Sequence, residues 1–112
     1  MKILFQSSEN LDKRSLYIHT RDQKAKSLKD VEDGTVIDPK EIVIYEDEDR
    51  QGNTQVITSV IDMNGTHYAT NSRFFREELG NIYEIMKPEP FKIAVVKNVS
   101  KNGRTFVTCT LL

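Results

Sequence analysis

The chain has 112 residues but one cysteine, no tryptophan, three prolines and two histidines. The lone Cys109 excludes an intrachain disulfide and reads as a small buried hydrophobe in a reducing compartment. With His19 and His67 as the only histidines, and neither an HExxH nor a CxxC spacing, a zinc site has no support. No glycine-rich loop opens a helical segment, which argues against a nucleotide-phosphate cradle. The acidic run Glu46-Asp47-Glu48-Asp49 lacks the spaced ligands and turn glycine of a calcium loop and reads as a solvated turn. No paired carboxylates mark a pocket for acid–base work. Neither an enzyme nor a bound cofactor is therefore expected. No apolar run approaches the ~20 residues that span a bilayer. The apolar start, Met1 to Phe5, is too short for a signal peptide. These features predict a soluble, cytoplasmic protein with no membrane partner.

What is present is one domain's worth of chain, 38% hydrophobic and 29% charged. The net charge is −1, but it is unevenly spread. Residues 1–29 carry a net +4, residues 30–50 a net −7 and residues 51–112 a net +2. The last stretch, 91–112, holds Lys92, Lys97, Lys101 and Arg104 and no acid. A nearly neutral protein can therefore present one basic face; a scattered, solvated distribution is the alternative.

Hydrophobic periodicity orders the chain. Residues 14–20 alternate, with Leu16 and Ile18 facing one way and Tyr17 and His19 the other, and read as a half-buried strand. Residues 21–34 read as a loop. Glu41–Tyr45 and Thr54–Ile61 read as strands, and Asn64-Gly65 as a hairpin turn leading into Thr66–Thr70. Phe75, Leu79, Ile82 and Met86 then fall on one helical stripe. Asn71 or Ser72 supplies the N-cap, and Pro88 and Pro90 stop the helix, which spans about 72–87. Phe91–Val96 and Thr105–Leu111 close the chain as strands, joined by a turn at 98–103.

The order predicts an all-β protein with one helix: an OB-like five-stranded barrel with the helix between strands 3 and 4. An open antiparallel sheet with a helix on one face has the same order. The alternation leaves Tyr17, His19, Tyr45 and Phe106 on outward positions, with Lys92 as the outward neighbour of Phe106 and Lys97, Lys101 and Arg104 at the last turn. Rings interleaved with cations suit single-stranded nucleic acid, which stacks its bases and places phosphates on Lys and Arg. Each of these residues also has a plain reading: edge cover for the tyrosines, packing under the helix for Phe106, solvation for the cations. The helix aromatics Phe74, Phe75 and Tyr83 read as core, and Arg73 and Arg76 as solvated.

Several stretches carry a resemblance. They are Ser27-Leu28-Lys29 leading to Asp33-Gly34-Thr35-Val36-Ile37, then Asp62-Met63-Asn64-Gly65-Thr66-His67-Tyr68-Ala69. The clearest is Pro90-Phe91-Lys92-Ile93-Ala94-Val95-Val96-Lys97, followed by Ser100-Lys101-Asn102-Gly103-Arg104-Thr105-Phe106. In this order, over residues 27–112, the chain resembles the single-stranded-DNA-binding proteins of small phages that replicate by protein priming. The resemblance implies an OB-like protein that coats displaced single strands during replication, in the host cytoplasm and alongside replication proteins. It adds Tyr68, at the hairpin tyrosine of the pattern, to the DNA-binding candidates. The acidic run at 46–49 departs from what a DNA-facing loop would hold. The rival is a phage interaction or inhibitor protein that offers this acidic surface to a host protein.

Overall fold

A computed structural model describes residues 1–112. Eight strands and two helices follow in order: β1 (Lys2–Gln6), α1 (Lys13–Arg21), β2 (Lys26–Ser27), β3 (Val36–Ile37), β4 (Pro39–Glu48), β5 (Thr54–Asp62), β6 (His67–Thr70), α2 (Arg73–Met86), β7 (Ile93–Val99) and β8 (Thr105–Leu111). The strands form a five-stranded sheet, β1-β4-β5-β6-β2, and a three-stranded sheet, β3-β7-β8. No strand pairing joins the two, so the ladders do not close into a ring. The fold is mostly β with two helices rather than one.

The two sheets and α2 share one core. Ile42, Val60 and Tyr68 from the larger sheet meet Ile93, Val95 and Val107 from the smaller, and Phe75, Leu79 and Ile82 of α2 pack between them. The helical stripe is realised as the sequence specifies it. Ser72 caps α2, its Oγ accepting from the Phe75 amide at 3.2 Å. Cys109 is buried in this core, and burial pushes its thiol up to about 12, which leaves it a hydrophobe rather than a nucleophile.

The expected strand at 14–20 is instead α1. Asp12 caps it, with Oδ1 accepting from the Ser15 amide at 2.7 Å. Ser15, Leu16, His19 and Thr20 turn inward while Tyr17 and Ile18 are exposed, which is the 3.6-residue period and not the two-residue one. The first strand is the N-terminal β1, antiparallel to β4. The acidic run is also shifted: β4 extends through Glu48, and the turn is Asp49–Asn53, where Asp49 Oδ1 accepts from the amides of Gln51 and Asn53.

A chain of polar side chains joins α1 to the face of the larger sheet that looks away from the core. His19 Nε2 lies 3.1 Å from Glu41 Oε1 and its Nδ1 lies 2.7 Å from Ser59 Oγ. Ser59 Oγ is 2.6 Å from His67 Nε2, and His67 Nδ1 is 3.1 Å from Asp22 Oδ2. Glu41, His19 and Ser59 have the connectivity of a nucleophilic relay. Ser59 is 0% exposed, however, so no substrate reaches its hydroxyl. The chain is a structural tie.

Burial holds His19 below the usual imidazole value, with Glu41 opposing that shift. A base lowered in the folded state stabilises the fold above its unfolded value, about 6.5, and that contribution is lost as pH falls through the folded value. Urea unfolding should therefore show lower stability at about pH 5 than at about pH 7, with the difference shrinking in His19→Gln. Ser59→Ala should cost about 1–3 kcal/mol, because two buried imidazole nitrogens lose their partner.

Candidate nucleic-acid interface

The start of α2 sets the candidate site. Besides capping the helix, Ser72 Oγ donates to the Val107 carbonyl at 2.5 Å, docking the first turn on β8. Thr108 Oγ1 donates to the Phe74 carbonyl at 3.4 Å alongside. Phe75 consequently enters the core, and its neighbour Phe74 is left on the rim, 54% exposed. The Phe74 and Phe106 rings lie 4.6 Å apart between centroids at an interplanar angle of 43°.

These rings line a groove of about 460 Å³ whose lining also includes Lys29, Arg73 and Lys97. No carboxylate is part of that lining. Lys97 Nζ donates to the Lys29 carbonyl at 2.8 Å, which orients the ammonium and leaves two of its three donors free. Arg73 donates Nε to Glu77 Oε1 at 2.7 Å, leaving its terminal nitrogens for another acceptor. The first residues of α2 line the groove too, so the positive end of the helix dipole faces it.

The nominated residues divide. Lys97 and Phe106 come together in this groove, and Arg104 and Lys101 are exposed in the β7–β8 turn at the same end of the hairpin. Lys92 is not beside Phe106: the register pairs Phe106 with Asn98, and Lys92 precedes the far end of β7. Tyr17 is 67% exposed, but on α1, outside the groove lining. His19 is buried in the polar tie rather than outward. Tyr45 is 5% exposed, on a sheet face that α1 covers, and Tyr68 is 8% exposed within the shared core. Neither tyrosine offers a free ring.

The sequence reads Phe74 as core and Arg73 as solvated and does not single out Lys29, yet Phe74 is exposed and all three line the groove. A signal for Phe74 existed. It lies off the stripe of Phe75, Leu79, Ile82 and Met86, on a row with Glu78 and Asn81.

Two rings, three cations and no carboxylate are thus gathered in the lining of one groove. A family model described as phage single-stranded DNA-binding protein matches residues 5–112, and the chain belongs to that family. Its members bind single-stranded DNA in phage replication. No curated protein and no solved structure matched the chain. No helix is long and apolar enough to cross a membrane.

The rim position of Phe74 makes a direct expectation for stability. Phe75→Ala should cost about 3–5 kcal/mol as a core truncation. Phe74→Ala should cost no more than about 0.5–1.5 kcal/mol, the worth of an aromatic pair. Urea denaturation of the two variants checks the difference.

Proposed function

We propose that the protein coats single-stranded DNA without sequence specificity by stacking bases on Phe106 and Phe74 and holding phosphates with Lys97, Lys29 and Arg73. The groove with rings and cations and no carboxylate in its lining is the observation that carries this reading. Stacking supplies affinity of about 1–3 kcal/mol per base and accepts any base, because every base has a π-face. Arg104 and Lys101 extend the positive field at the hairpin turn. The role is binding, not catalysis, and its setting is the replicating phage genome in the host cytoplasm, beside other replication proteins.

The fold reading that accompanies it is an opened OB-like barrel. The antiparallel β1–β4–β5 meander, then α2, then the β7–β8 hairpin follow the order of strands and helix in that architecture. The shared core supports this reading, with β6 completing the β5 hairpin and β2 and β3 as short additions at the edges.

Titration of fluorescently labelled oligo-dT at two salt concentrations tests the proposal. Affinity should fall with salt as counterions are released, and Lys97→Ala should lower the slope of log K against log salt by about 0.7. Phe106→Ala should weaken binding by about 1–3 kcal/mol. Equal binding to a duplex of the same length would overturn the reading. So would a stoichiometric host-protein complex formed by a chain that ignores oligo-dT.

A further inference from the structure

Two surface grooves have no carboxylate in their linings, whereas three others include Glu46, Glu77, Glu84 or Glu89, and these two adjoin. The second, of about 250 Å³, shares Lys29, Thr70 and Asn71 with the aromatic groove and continues over Ala25, Ser27, Gln55 and Ile57. It lies where β2 pairs in parallel with β6, with Ser27 opposite Ala69.

The β2 segment alternates along this rim. Ala25 and Ser27 are half-buried and line the groove, while Lys24, Lys26 and Lys29 are exposed. Of the cations in residues 1–29 only Lys29 lines this groove, and Lys24 and Lys26 stand exposed at its β2 edge, alternating with the lining residues. At the far side Asp47 stands directly across from Gln55 in the β4–β5 register, and Arg21 lies 3.8 Å from its carboxylate. Asp47 thus marks the β4–β5 edge of this groove, with Arg21 against its carboxylate.

We infer that the bound strand does not end at the aromatic groove but runs on over Lys29 and Asn71 into this second groove, where its phosphates follow Lys24 and Lys26. The inference rests on the aromatic groove being the primary site. It assigns the two grooves different work. The first grips bases on rings. The second has no aromatic in its lining and holds the strand by backbone charge and by the polar floor of Thr70, Asn71 and Gln55. A strand of about four nucleotides is long enough for the first alone, while one of about eight reaches both, within the site sizes of about 4–16 nucleotides found for such domains.

Oligo-dT of those two lengths separates the possibilities. Gln55→Glu sets a carboxylate in the second groove without changing side-chain size, and Lys26→Ala removes a charge from an exposed position. Both variants should bind the short oligomer as wild type does. Both should bind the long one several-fold more weakly, and Lys26→Ala should lower its salt slope by about 0.7. If both variants bind both lengths normally while Lys97→Ala weakens both, the strand ends at Lys29 and the extension is wrong. If Lys97→Ala and Phe106→Ala also leave both lengths unchanged, the primary groove itself is wrong and the extension falls with it.

Discussion

One hydroxyl fixes the geometry on which the candidate interface depends. Ser72 Oγ accepts from the Phe75 amide and donates to the Val107 carbonyl, so the same atom begins α2 and fastens that beginning to β8. A helix capped elsewhere would turn its first residues through about 100° for each residue of shift. With the start held at Ser72, Phe75 points to the core and Phe74 must point to the rim, where β8 presents Phe106. The ring pair therefore follows from a capping choice. Burial of Phe75, Leu79 and Ile82 supplies the energy that holds the helix against the two sheets.

The middle of the larger sheet, around Val43 and Tyr45, is buried on both faces, which decides the fate of the tyrosines. Along β4, Ile42 belongs to the core shared with α2, while Val43 and Tyr45 occupy the opposite face and are equally buried. Alpha-helix α1 covers that second face, tied down through His19, Ser59, His67 and Asp22. A sheet with one wet face would have left Tyr45 available to a ligand. A sheet covered on both sides hides it, and the exposed rings move to the edge, at the junction of β8 with α2.

This explains how far the sequence could be read. The α2 stripe was legible because apolar residues at i, i+4, i+7 and i+11 allow only a helix, and its cap was placed within one residue. The hairpin at Asn64-Gly65 was legible because its turn needs a positive φ, here +82° at Gly65. The segment at 14–20 was not legible. Its alternation of apolar and polar residues fits a strand, and the decisive fact is tertiary: His19 is buried because Ser59 and Glu41, 40 and 22 residues away, satisfy it. Tyr45 and Tyr68 were misplaced for a related reason, since period-two alternation identifies two faces without saying whether both are covered. In the interface, Lys97 and Phe106 were found because the last hairpin is regular. Lys29 and Arg73 were missed because only the chain's return past β6 and α2 brings them to the same groove.

The distribution of charge reconciles a net charge of −1 with a polyanionic ligand. At physiological salt, fields between exposed charges fade over about 8 Å, so a phosphate responds to the charges around its own groove rather than to the sum over the protein. Six of the nine acids of residues 30–50 are drawn into specific places. Glu41 and Asp49 accept hydrogen bonds within the fold, Asp33 Oδ1 accepts the Lys97 amide at 2.8 Å, and Glu46 to Glu48 line a separate groove with Met1 and Lys2. None lines either of the acid-free grooves. An overall excess of positive charge would draw duplex and single strands alike through the backbone term they share. In the proposed reading the local cations act together with the rings, a combination open only to a strand whose bases are free to leave the helix stack.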